Sequence, residues 1–148
     1  MTDLEWMNLA VQEAKLALQT GDVPVGALVV CDNVCIAKAH NEREARNDPT
    51  AHAEILALRK AAQVRGNWRL TGCTLFVTHE PCPMCAGAAV MSGIHSIVFG
   101  CCEDKTGACG SQLNLVQFPG FPHNVRIRGP IDEERCAALM QDFFKQLR

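Results

Sequence analysis

The feature that most constrains this chain is a proline-flanked pair of cysteines, THEPCPMCAGA at residues 78–88. Its meaning depends on what completes it elsewhere. Two cysteines three positions apart serve a structural metal knuckle, a redox pair or half of a catalytic metal site. Cys31 and Cys35 stand at a spacing that lets them join Cys82 and Cys85 in a four-thiolate structural site. A thioredoxin-like dithiol is the other alternative, because the pair follows a strand pattern and opens a helix pattern. Both leave His52-Ala53-Glu54 unexplained. That tripeptide stands at the start of a predicted helix, where an imidazole and a carboxylate two residues apart lean toward one pocket.

His52, Cys82 and Cys85 together offer one nitrogen and two sulfurs, which tetrahedral zinc accepts while keeping a fourth position for water. Two thiolates balance the ion's charge, and a helix N-terminus beneath them favours thiolate over thiol. Glu54 is left off the metal. A carboxylate there can take a proton from the attacking water, deliver it to a ring nitrogen and move a second to a departing amine, which is hydrolytic deamination. The conjunction H-x-E…P-C-x-x-C is the general signature of zinc-dependent nucleobase deaminases and is far more specific than either half. His40, His79, His95 and His123 read as packing or surface residues. Cys73, Cys101, Cys102, Cys109 and Cys136 read as small apolar fillers.

A length of 148 residues suits one domain, 1–148, and 48% hydrophobic with 20% charged residues is the composition of a folded soluble protein. No apolar run is long enough to span a bilayer, so no membrane partner is expected. The opening MTDLEWMNLA is acidic and amphipathic, unlike a signal peptide, and a cytoplasmic location is expected. The odd count of nine cysteines then reads as reduced thiols and metal ligands. The net charge of −2 hides an asymmetry: residues 1–37 carry five acids against the single base Lys15, and residues 38–69 carry seven bases against four acids. Such a basic middle can meet phosphates.

Thr2 and Glu5 form a capping box, and Leu4, Met7, Val11, Ala14 and Leu18 recur at helical spacing until Gly21. VGALVVCDNVCIAKAH predicts a hairpin around Asp32-Asn33, followed by polar loop over 38–48. Helix is predicted from Asp48-Pro49-Thr50 to Gly66, strand over 73–78, helix from Pro83 to near Gly93, and strand over 95–100. After a glycine- and proline-rich loop, NVRIR predicts the last strand and a helix runs from about Ile131 through MQDFFKQ. Four helices alternating with hairpin and parallel-type strands imply an α/β sheet covered on both faces.

VPVGALVV, Asn41, DPTAHAEILAL, NWRL, EPCPMCAGA, VFG…KTGACGS and the terminal DFF occur in this order along nearly the whole chain. In them the sequence resembles the bacterial tRNA-specific adenosine deaminases of the TadA type, within the cytidine deaminase-like superfamily. The resemblance implies a three-layer α/β/α fold with a central mixed five-stranded sheet, a homodimer, and one Zn2+ per subunit. It also implies conversion of adenosine to inosine at the wobble position of a tRNA anticodon stem-loop. Carried over, His52, Cys82 and Cys85 are the metal ligands and Glu54 the catalytic proton shuttle. Asn41, Val23 and Pro24 then hold the flipped base, Glu103 and Lys105 face the sugar and loop, and Phe143 and Phe144 lie near the RNA.

The chain departs from that pattern at His79, where the family commonly has an aliphatic residue, at Cys101-Cys102, and at Glu103, where an aspartate is usual. Two other function classes remain beside the tRNA enzyme: a zinc deaminase of a free nucleobase such as guanine or cytosine, and a zinc-stabilised RNA-binding module. Glu54 opposes the module, since a structural site needs no proton shuttle. The KTGACGS loop and the basic middle favour RNA over a free base.

Overall fold

The computed structural model describes residues 1–147. Helix α1 (Asp3–Leu16) starts at the capping box that its sequence predicts: the Thr2 hydroxyl accepts the Glu5 N–H at 3.2 Å and the Glu5 carboxylate accepts the Thr2 N–H at 3.4 Å. Its buried stripe is Trp6, Met7, Ala10, Val11 and Ala14, while Leu4 and Leu18, expected on that face, are exposed. For Leu18 the cause is a change of helix type. After Leu16 the chain tightens into a 3-10 turn, Ala17–Thr20, whose three residues per turn break the α period, and Gly21 ends it at φ 74°.

Strands β1 (Gly26–Cys31) and β2 (Val34–His40) form the expected hairpin. Asp32 and Asn33 both take positive φ, 52° and 60°, the pair of values that a tight two-residue turn of matching twist requires. The stretch 38–48 corrects the loop expectation. β2 continues to His40, and Arg43–Arg46 makes a single helical turn, α2. The buried Asp22 accepts the backbone N–H groups of Glu44 at 2.6 Å and Ala45 at 3.2 Å, capping that turn from twenty-two residues away.

The remaining elements are α3 (Ala53–Arg65), β3 (Thr74–His79), α4 (Pro83–Met91), β4 (Ser96–Cys101), β5 (Arg126–Arg128) and α5 (Glu133–Gln146). They build a five-stranded sheet in the order β2-β1-β3-β4-β5. β1 runs antiparallel to both neighbours, and β3, β4 and β5 are parallel, so the sheet is mixed as expected. The two-residue period of the strands divides their side chains between two cores. Ala27, Val29, Leu75, Val77, Ile97 and Phe99 face one core, shared with α3 and α4. Leu28, Val30, Phe76 and Val98 face the other, with α1 and Cys136 of α5. Because β3 and β4 are covered on both faces, CTLFVT and HSIVFG read as nearly unbroken apolar runs.

Gly26, the first residue of β1, sits directly under α1. A Cβ there would collide with the Ala10 carbonyl oxygen and the Ala14 nitrogen, both backbone atoms that cannot rotate away. Gly26→Ala should therefore destabilise the fold by about 1–3 kcal/mol, the usual cost of overpacking. Urea unfolding checks this, with an unchanged midpoint contradicting the close approach.

Candidate active site

The two helices that share one face of the sheet, α3 and α4, aim their N-termini at the same place. His52 is the N-cap of α3, with extended backbone (φ −72°, ψ 152°), and Glu54 lies in its first turn. Cys82 is the N-cap of α4, Pro83 fills its first position without needing a hydrogen-bonding N–H, and Cys85 follows in the first turn. The unpaired N–H groups and positive dipole ends of both helices thus surround the sulfurs and the carboxylate.

His52 Nδ1 lies 3.6 Å from Cys82 Sγ and 3.5 Å from Cys85 Sγ. Tetrahedral zinc bonds of about 2.1 Å to nitrogen and about 2.3 Å to sulfur place two such ligands roughly 3.5 Å apart, so the donor set fits one ion. Among the described residues these three form the only group of its kind. Cys31 and Cys35 do not join them. Cys31 packs against the α3/α4 core and Cys35 against the opposite one, so the sheet separates the two would-be knuckle thiols.

The protons of the metal-free cluster are unevenly shared. The Cys85 thiol donates a hydrogen bond to Cys82 and pulls it down to about 4, with His52 helping against the effect of burial. Cys85, as that donor and deeply buried, is pushed far above the ordinary thiol range. The hydrogen bond to Cys82 raises His52 despite its burial, and the charge of Glu54 adds to the rise. A cation that takes all three atoms must therefore displace protons, chiefly that of Cys85. Burial raises Glu54, the direction that suits a carboxyl that both takes and gives a proton.

These groups open into a cleft of about 140 Å³ whose lining includes Val23, Val25, Asn41, Arg43, His52, Glu54, His79, Glu80, Cys82, Thr106 and Met140. A larger depression of about 620 Å³ lies between α1 and β2, but the ligand-type cluster is in the smaller cleft. Asn41 is buried, and its Oδ1 accepts the Arg43 N–H at 3.2 Å. This Asx turn uses only the oxygen, leaving the amide NH2 for a ligand. Val23 and Val25 line the cleft, whereas Pro24 between them is buried and does not.

Neither Glu103 nor Lys105 lines the cleft; Glu103 contacts its wall through His79, and Lys105 is exposed. Glu103 Oε2 lies 2.7 Å from His79 Nε2, and its Oε1 accepts the Lys105 N–H at 2.9 Å. Phe143 and Phe144 pack edge to face, with ring centroids 5.3 Å apart. Phe143 is buried and Phe144 exposed, and both line a second cleft that shares Val23, Asn41 and Arg43 with the first.

Two site residues, His79 and Glu80, escaped the sequence, and Arg43 was legible only as one of the bases of the middle segment. His79, read as packing or surface, is a wall of the cleft, and its alternation along β3 was the available signal. Arg43 arrives only because Asp22 builds α2. Glu80 carried no such signal. Fully buried, it accepts the N–H groups of Glu103 (3.1 Å), Cys109 (3.0 Å) and Ser111 (3.1 Å) and the Ser111 hydroxyl, so one carboxylate shapes the loop beside the cleft.

An imidazole and two thiols fit for a divalent ion, with a buried carboxyl free of them and an amide across the cleft, can support hydrolytic removal of an amine from a heterocycle. The comparisons with known proteins agree. The MafB19-like deaminase family matches residues 1–148. The chain is 44% identical over 143 residues to the tRNA-specific adenosine deaminase of Bacillus subtilis (strain 168), covering 97% of this chain and 89% of that protein. A structure solved in a study of A-to-I editing by tRNA:A34 deaminases at the wobble position superposes with a TM-score of 0.88 and 36% identity, over 92% of this chain and 99% of that one. A guanine deaminase from Bacillus subtilis gives a TM-score of 0.66 and 36% identity, over 69% of this chain and 66% of that one. The chain belongs to the MafB19-like deaminase family, alongside the tRNA-specific adenosine deaminases.

Cys85→Ala should lose the divalent metal, whereas the double variant Cys31→Ala, Cys35→Ala should keep it. Elemental analysis of the purified proteins decides the matter, and equal loss in both would move the metal to a four-cysteine knuckle.

Proposed function

We propose that residues 1–148 act as one zinc-dependent deaminase domain that converts adenosine to inosine at the wobble position of a tRNA anticodon loop. The observation that carries the reading is the placement of Glu54, buried beside a His-Cys-Cys group yet no part of it, in a cleft with Asn41. The near full-length similarity to proteins named tRNA-specific adenosine deaminase supports the substrate. In this reading the protein works in the cytoplasm as a homodimer with one Zn2+ per subunit. No helix among the described residues is long and apolar enough to cross a membrane.

Bound at His52, Cys82 and Cys85, zinc supplies Lewis-acid activation of water at neutral pH. Glu54 takes a proton from the attacking water, delivers it to N1 of the adenine ring, and passes a second to the amine leaving from C6. Adenosine and water become inosine and ammonia. Asn41 pairs with the base edge through its amide, and Val23 with Val25 forms the apolar wall beside it. A base inside a duplex cannot reach this cleft, so the nucleotide must swing out of a loop or single strand. Arg43 in the cleft wall, with Arg46 and Arg59 nearby in the basic segment, adds phosphate contacts that weaken with salt, whereas Arg65 and Arg69 lie at the other end of α3.

The likeness to guanine deaminase favours a second reading, in which the cleft takes a free base. Incubation with an anticodon stem-loop carrying adenosine at the wobble position, beside free guanine, cytosine and adenosine, separates the two. Inosine should appear in the RNA, and ammonia release from guanine alone would establish the second reading instead.

Glu54→Gln keeps the shape and the hydrogen-bonding arms but removes the basic carboxylate. It should retain zinc and RNA affinity while turnover falls about 10²- to 10⁴-fold, the usual worth of general acid–base help. Single-turnover assays on zinc-loaded protein check this, and near-normal turnover would sink the mechanism.

Glu103 bears on RNA against DNA, because the 2′-hydroxyl is what separates the two at a single nucleotide. Glu103→Asp shortens the arm and releases His79, and it should raise the preference for an RNA stem-loop over the matched DNA. An unchanged ratio would remove residue 103 from sugar reading.

A further inference from the structure

A second pair of thiols lies at the far end of α3. Cys31 closes β1, and Cys73 stands one residue before β3. β1 and β3 pair antiparallel with Val30 opposite Thr74, so the next step along both chains sets Cys31 opposite Cys73. Opposed residues share a face, with Cα atoms about 4.5–5.5 Å apart. That separation lies within the roughly 4.4–6.8 Å that a disulfide spans.

Arg65, the last residue of α3, independently places the two sulfurs together. Its Nη1 lies 2.8 Å from Cys73 Sγ and 3.3 Å from Cys31 Sγ, and it donates to the Thr71 carbonyl at 2.9 Å. Cys31 is half-buried and Cys73 fully buried, so Cys31 is the more accessible residue of the two. Burial and the hydrogen bond that its thiol donates to Cys31 push Cys73 up to about 11, with Arg65 pulling the other way. Cys35 is no competitor, because it packs in the opposite core.

We propose that Cys31 and Cys73 form an oxidation site for hydroperoxides, closing a cross-strand disulfide beneath the Arg65 guanidinium. The Cys31 sulfur attacks one oxygen of hydrogen peroxide and the O–O bond breaks. The departing oxygen leaves as water with the thiol's proton, and Cys31 becomes a sulfenic acid. The Cys73 sulfur then attacks that of Cys31, the S–O bond breaks, and a second water carries off the Cys73 proton. Two thiols lose two electrons in all, and one peroxide becomes two waters. Arg65 stabilises the negative charge that builds on Cys73 as its proton leaves.

The length of α3 keeps this pair apart from the metal cluster, since the thirteen residues from Ala53 to Arg65 span about 18 Å of helix from first to last. Oxidation should therefore leave the metal in place.

Zinc-loaded protein is treated with one equivalent of hydrogen peroxide, alkylated, digested without reductant and mapped by mass spectrometry. The expected result is a cross-linked Cys31–Cys73 peptide, with both residues lost from the alkylated pool and the zinc content unchanged. Cys31→Ser should abolish the cross-link completely, and Arg65→Ala should slow its formation severalfold. The proposal is overturned if peroxide leaves both thiols alkylatable, joins Cys31 to another cysteine, or carries Cys31 to sulfinic acid with Cys73 still reduced. The readout is a covalent mass, so it stands or falls independently of the deaminase assays.

Discussion

The site depends on holding two sulfurs and an imidazole nitrogen against one another in a place where burial penalises every charge they can carry. The convergence of the α3 and α4 N-termini makes that tolerable. Each helix lends unpaired N–H groups and the positive end of its dipole to the same few cubic ångströms. The convergence follows from topology: α4 is the crossover between the parallel strands β3 and β4, and α3 lies beside it on the same face. In an open α/β sheet a ligand site at the carboxyl ends of parallel strands is the general rule, and here Cys82 follows β3 by three residues. The crossover that closes one core is thus also the mount for the thiols.

Around that mount, three buried polar side chains fix segments that no strand or long helix holds. Asp22 caps α2 and so brings Arg43 to the cleft. Asn41 turns the chain between β2 and α2. Glu80 gathers three backbone N–H groups and a hydroxyl from the loop after β4. Burying such groups unpaired would cost several kcal/mol, but the Asp22 and Glu80 carboxylates and the Asn41 oxygen are all paired, so they act as joints rather than defects. His79, joined to Glu103 at 2.7 Å, makes the cleft wall polar at the position where the family commonly has an aliphatic residue.

How much of this was legible in the sequence follows from which interactions are local. The capping box of α1, the Asp32-Asn33 turn and the Pro83 start of α4 are decided by residues within a few positions, and the structure has them where the spacing put them. The meeting of His52, Cys82 and Cys85 was legible because metal chemistry restricts both ligand type and interval, and the place of Glu54 because it stands two residues from His52 at the same helix start. Leu18 misled because a 3-10 turn changes the period without changing the letters. The stretch 38–48 misled because its cap lies twenty-two residues upstream. Val23 and Val25 line the cleft and Pro24 does not, because a single step of an extended chain sends a side chain to the other side.

Glu80 carries an implication for how the molecule assembles. The loop from Glu103 to Ser111 takes its shape from a carboxylate that comes twenty-three or more residues earlier and is presented only once β3 lies in the sheet. Its anchors are non-local contacts with little local preference behind them, and closing such contacts costs chain entropy before it returns any bond energy. The loop beside the cleft is thus among the last parts to order during folding, and a chain halted before that step would hold a formed sheet and both helix N-termini around an unfinished substrate wall.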